Sequence, residues 1–175
     1  ADLGGLGAAA GRDGAPDAAI VAGRAAEAGR IAKRLHELGA RTAVVAGDGA
    51  HALPQLTEAA GAGAEGIYVA TFWLPDPSDS AVARLSAWYR ERRGTEPVAT
   101  DMLVYDGLRL LVAAVEEVGA RPERIRRYLA ELGVSRSRFH GVTGEIGFGA
   151  GAGAPRLVMG VVRGAQVVPV EGGER

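Results

Sequence analysis

Apolar positions along the chain switch between strand and helix spacing, and each switch marks a segment. Ala18–Ala22 and Thr42–Ala46 are short apolar runs of strand length. Between them Ala25, Ala28, Ile31, Ala32 and Leu35 recur at helical spacing, opposite Arg30, Lys33, Arg34 and Glu37. Gly39 follows, where a left-handed residue without Cβ closes a helix at least cost. A strand, a crossover helix and a second strand of this length predict parallel pairing. Ala52–Ala60 reads as a short helix with Pro54 in its first turn, residues 61–65 as a loop, and Gly66–Thr71 (GIYVAT) as a third strand of β-branched and aromatic character.

The pattern then turns helical. FWLPDPS (72–78), with two prolines and two large aromatics, reads as a crossover between lobes. A first helix runs from Ser78 to the stop at Gly94 and carries Val82, Leu85, Ala87, Trp88 and Tyr89. A second spans Thr100–Val118, with Leu103, Leu108, Leu111, Val112 and Val115 as a broad apolar face, and a third spans Pro122–Leu132 with Ile125, Leu129 and Leu132 inward. The tail returns to β at Gly144–Phe148, Arg156–Arg163 and Ala165–Val170, the last two joined as a hairpin. A Gly/Ala linker, GAGAGAP, precedes that hairpin, and residues 1–15 read as a flexible start. The order β/α, helices, β suits a chain that leaves one lobe, visits another and returns. The helical block lacks a sheet of its own to cover.

Composition narrows the chemistry. Of 175 residues, 47% are hydrophobic and 23% charged, which is globular rather than disordered. Twenty basic against twenty-one acidic residues leave a net charge of -1, so nothing in the overall charge points to nucleic acid. The arginines between Arg121 and Arg138 read as a solvated helix face. Without cysteine there is no disulfide, thiolate metal site or cysteine nucleophile. No apolar run approaches the ~20 residues of a membrane span, and residues 1–15 lack the basic start and apolar core of a signal segment.

In an open parallel sheet, ligands bind beyond the carboxyl ends of the strands. The turns there are Gly23–Arg24 and Asp48–Gly49, which makes these four residues the first candidates for a site. His51, three residues after Asp48, is read either as lining that site or as a partly exposed loop histidine. For Asp48 the plain alternative is a turn former between glycines, and for Arg24 a helix-start residue facing water. Gly61, Gly63 and Gly66 fit G-x-G-x-x-G, but a strand follows where a dinucleotide motif needs a helix. His36, His51 and His140 have no metal-ligand spacing, so neither metal nor cofactor is expected. Trp73 and Trp88 read as packing residues. No H-E-x-x-H, G-x-S-x-G or paired acid/base set argues for an enzyme.

In series, these segments resemble the type I periplasmic solute-binding proteins, specifically the branched-chain amino-acid (Leu/Ile/Val) group of ABC importers. The resemblance runs through the strand and glycine turn at 17–23, Gly29 with RIAKRLHELG, AGDG (46–49), AEGIYVATFW (64–73), YRERRGTEP (89–97), YDGLRLLVAAVEEVG (105–119), FHGVTGEIGF (139–148) and VMGVVRGAQVVPV (158–170). It implies two α/β lobes closing on a solute, with this chain holding about the second half. Residues 16–72 and 155–171 would form the second lobe, 73–78 a crossover, 149–154 a hinge linker, and 79–148 a helical segment packing on a first lobe that has no counterpart here.

By position, the resemblance makes Asp48 the carboxylate facing a ligand's ammonium group. Arg24 stands where an aromatic contact is frequent, which favours an anionic or carboxylate-bearing ligand, and Thr100 and Asp101 lie near another contact region. Gly149 replaces a frequent acidic residue. The implied function is the extracytoplasmic binding component of an importer, periplasmic or extracellular and membrane-associated, working with a permease and an ATPase. A ligand-sensing regulatory module of the same fold is the alternative. An unpartnered helical block would also favour a homodimer.

Overall fold

The computed structural model of the chain describes residues 16–76, 78–149, 157–164 and 166–170. The chain divides into two compact units, Ala1–Leu74 with Leu157–Arg175, and Pro75–Arg156.

The first unit is a five-stranded sheet in the order β1-β2-β3-β6-β7. β1 (Ala18–Val21), β2 (Ala43–Ala46) and β3 (Tyr68–Thr71) are parallel neighbours, as the strand–helix–strand pattern predicts. The chain then comes back antiparallel to β3 as β6 (Val158–Arg163) and turns through Gly164 into β7 (Gln166–Pro169). Helix α1 (Ala25–Glu37) buries Ala25, Ala28, Gly29, Ala32 and Leu35, the predicted stripe with Gly29 added and Ile31 only partly buried. It ends where Gly39 adopts φ 64°. Helix α2 (Leu53–Ala60) begins at the predicted proline turn.

Small residues set the spacing between these helices. A Cβ on Gly29 would lie 2.6 Å from the Leu56 carbonyl oxygen and 2.7 Å from the Ala59 Cβ. The core beneath is Val21, Leu35, Val44, Leu56, Ile67, Val69, Val162 and Val167 with seven buried alanines between them. Residues 61–65, expected as a loop, contain a 3₁₀ turn at Gly61–Ala64. Gly63 fits it against α1, since its Cβ would stand 2.9 Å from the Ala32 carbonyl oxygen.

The second unit holds three helices, α3 (Ser80–Arg93), α4 (Ala99–Val118) and α5 (Pro122–Glu131). Asp79 caps α3 by accepting from the Ala81 and Val82 N–H groups, at 2.7 and 3.2 Å. Gly94 ends it at φ 70°. Leu110 and Ala114 of α4 pack with Tyr128 of α5 and Leu132, and Ile125, Leu129, Phe139 and Ile146 flank them.

This unit does have a sheet, contrary to the expectation from sequence. β4 (Phe139–Gly141) and β5 (Gly144–Ile146) form a two-stranded ribbon. Its turn is held by Asp106, a fully buried carboxylate on α4. Asp106 accepts from the Val142 N–H at 3.0 Å, the Thr143 N–H at 2.8 Å and the Thr143 hydroxyl at 2.7 Å. The broad apolar face expected on α4 is there and open: Leu103, Leu108, Leu111, Val112 and Val115 are exposed. Trp88 is not a packing residue. It is 51% exposed, with Arg92 over its ring. The expected start at 1–15, the linker GAGAGAP (149–155) apart from Gly149, Arg156 and Ala165 lie outside the described residues.

Candidate functional site

Three parallel strands end side by side in the first unit, and their ends carry the candidate chemistry. After β1, Gly23 and Arg24 lead into α1, and the Glu27 carboxylate accepts from the Arg24 N–H at 2.8 Å. After β2, Asp48 opens a 3₁₀ turn, Asp48–Ala50, with His51 at its end. The two glycine turns touch: a Cβ on Gly49 would come within 3.0 Å of the Gly23 carbonyl oxygen. A side chain there would be tight against that carbonyl, and glycine leaves the two turns room to meet. The sequence candidates Gly23, Arg24, Asp48, Gly49 and His51 are therefore brought to one edge of one sheet.

The third strand supplies a residue that sequence reading left out. Thr71, the last residue of β3, is fully buried. Its hydroxyl lies 2.9 Å from Asp48 Oδ1 and 3.1 Å from His51 Nδ1. A hydroxyl has one proton to give, and a carboxylate can only accept. Thr71 therefore donates to Asp48 and accepts from His51, which places the imidazole proton on Nδ1. His51 is buried, not the partly exposed loop histidine that was the alternative reading. Burial holds its pKa below the ordinary value, and the nearby Asp48 carboxylate opposes that only in part. Asp48 itself is half-buried and Arg24 is exposed. The signal for Thr71 was present: it is the polar residue closing the run GIYVAT, at the third strand end.

Thr100 and Asp101 fall in the other unit, at the first turn of α4. There the Asp101 carboxylate accepts from the Val98 N–H at 2.9 Å, which anchors the helix start. The Tyr89 hydroxyl also interacts with Asp101, and burial followed by that carboxylate raises the Tyr89 pKa. A shallow hollow of about 130 Å³ lies at the amino ends of β2 and β3, lined among others by Leu35, His36, Thr42, Gly63 and Glu65. It is at the wrong end of the strands to share the Asp48 cluster. Among the described residues no group of three or more His, Asp or Glu is placed to hold a metal ion. No helix among them is long and apolar enough to cross a membrane.

Three parallel strands with Arg24 and Asp48 in the turns beyond their carboxyl ends, flanked by helices, make an α/β unit. The chain belongs to the periplasmic binding protein family, whose profile matches residues 8–170. Within that family it has the type I fold and groups with the branched-chain amino-acid-binding members. It is similar to the leucine-binding protein LivK of Thermotoga maritima, at 28% identity and a TM-score of 0.82 over 97% of this chain and 47% of that one. It is similar also to the branched-chain amino acid transporter substrate-binding protein LivJ of Streptococcus pneumoniae, solved with isoleucine. That match has 27% identity and a TM-score of 0.79 over 95% of this chain and 47% of that one. An ABC transporter substrate-binding protein of Desulfitobacterium hafniense, solved with Leu, shares the fold at 22% identity and a TM-score of 0.68, over 88% of this chain and 43% of that one. No curated protein sequence matches the chain significantly. The chain spans just under half the length of these structures. They are binding proteins, not enzymes.

Proposed function

We propose that the chain is the carboxyl-terminal part of an extracytoplasmic solute-binding protein that serves an ABC importer. Its solute is a branched-chain amino acid or a related small amino or carboxylate metabolite. The observation that carries this reading is a carboxylate fixed at the carboxyl edge of the parallel sheet, Asp48, in a chain that matches a leucine-binding protein over nearly its whole length. Asp48 takes the ammonium group through a charge-assisted hydrogen bond in a partly desolvated setting. Arg24, beside it on the next strand end, takes an anionic or polar group of the ligand.

Residues 79–148 pack on a further lobe, and hinge closure traps the solute because the closed state makes more contacts to it. A permease and an ATPase receive the loaded protein outside the cytoplasmic membrane. No nucleic acid or cofactor enters the scheme.

The test is calorimetric titration of the complete protein with L-leucine, L-isoleucine and L-valine. Micromolar or tighter binding of one of them is expected. Asp48→Ala should weaken it by about 100-fold, the usual scale for leaving a buried charge unpaired. Unchanged affinity in that variant would remove Asp48 from the site, and no binding of any of the three would remove the branched-chain amino acids as the solute.

A further inference from the structure

We infer that Thr71 is a positioning residue, which holds the Asp48 carboxylate by one oxygen and presents the other to the ligand. The inference rests on the reading of Asp48 as the group that meets an ammonium. Thr71 is fully buried on a central strand, flanked by β2 and β6, with Val158 opposite it in register. For packing alone a hydroxyl there is a poor choice. Valine has the same shape, suits a strand as well, and leaves no polar atom to satisfy. The hydroxyl is nevertheless kept, and both its partners come from the turn after β2, at 2.9 Å to Asp48 Oδ1 and 3.1 Å to His51 Nδ1.

The order of donation leaves Asp48 little freedom. His51 donates from Nδ1 to Thr71, and Thr71 donates to Oδ1. Burial on the central strand holds the Thr71 oxygen in place, and its two partners set the direction of its proton. Asp48 Oδ2 accepts no hydrogen bond from any other described residue. Thr71 takes up one acceptor position of Oδ1, which leaves Oδ2 the more open oxygen for an ammonium group. The hydrogen-bond chain therefore orients the carboxylate.

The experiment uses the complete protein labelled with ¹⁵N-histidine, with His51→Asn to assign the His51 signals, and L-leucine as the titrant. Wild type and Thr71→Ser should both show His51 protonated on Nδ1, with affinities for L-leucine within about twofold, because serine restores the hydroxyl. Thr71→Val should lose that tautomer signature and bind L-leucine about tenfold or more weakly at a temperature where circular dichroism shows it folded, the scale of losing a hydrogen bond to a charged group. If the valine variant does not fold, Thr71→Ala replaces it in the same comparison.

Two results overturn the inference while leaving the proposed function standing. One is a wild-type His51 protonated on Nε2. The other is a folded Thr71→Val that binds L-leucine like wild type while Asp48→Ala does not. If Asp48→Ala itself binds normally, the reading of Asp48 has failed, and the positioning role fails with it whatever the His51 spectrum shows.

Discussion

His51 keeps its ring inside the first unit although an imidazole is readily hydrated and charged. Burial favours its neutral form in the folded chain, so the folded pKa lies below the unfolded value of about 6.5. Protons then bind the unfolded chain more readily, and stability falls as pH drops. The contribution is complete above the unfolded value and is lost as pH falls from there towards the lowered folded one. Urea melts of the first unit at pH 7.5 and pH 5.5 should show a lower midpoint in acid, and His51→Gln should shrink that difference. An equal drop in the variant would place the acid sensitivity elsewhere.

At this scale the sequence revealed some residues and concealed others for a physical reason. Asp48 and Arg24 were legible because strand ends are local features of the chain. The burial of His51 depends on a third strand end twenty residues away, which no local pattern records, and Thr71 was marked only as the polar residue that closes that strand. Trp88 misled for the converse reason: an aromatic at helical spacing carries no mark of whether its face is covered.

Helix α1 was legible almost residue by residue, because its apolar stripe has a clean period and its stop is a left-handed glycine. Gly29 was noted only as part of a resemblance, yet it sets how closely α1 meets α2. Gly29→Ala gains about 0.8–1 kcal/mol of helix propensity, but the added Cβ meets a backbone carbonyl. Overpacking of this kind costs about 1–3 kcal/mol, so the net effect should be destabilising. Gly107→Ala on α4 is the control. Its Cβ would meet nothing within 4 Å, and up to about 1 kcal/mol of stabilisation is expected. Denaturant midpoints that move the same way for both would refute the packing argument. The ribbon strand Phe139–Gly141 escaped prediction because three residues are too few to show alternation. It exists because Asp106, on a helix some thirty residues earlier, holds its turn.

Among the described residues, apolar side chains stand open on α4 and on β1. On α4, Leu108 is 61% and Val112 55% exposed, and on the edge strand β1 Ile20 is 85% exposed. A contiguous apolar face like that of α4 usually marks an interaction surface, whereas a single exposed residue such as Ile20 does not. With a chain that spans under half of its structural relatives, the α4 face fits the proposed contact with a further lobe. The 175-residue chain produced alone should therefore self-associate. Sedimentation velocity should show a dimer that weakens on dilution, and Leu108→Glu with Val112→Glu should return it to monomer. A monomer at all concentrations would argue that the face needs no cover. The expectation of exposure came from sequence through the helical stripe, while the exposure of Ile20 did not, since a strand of four residues does not reveal that it lies on an edge.

The first unit is discontinuous, and that sets a timetable for its synthesis. β3 pairs with β6 only after the about eighty residues of Pro75–Arg156 have been made. At roughly 5–20 residues per second, the wait is roughly 4–16 s. During it the outer edge of Tyr68–Thr71 has no partner, and an open strand edge is a template for the wrong one. A ribosome that pauses in this stretch holds the nascent sheet at its most aggregation-prone, so the need for a chaperone should peak before β6 emerges and fall once it has docked.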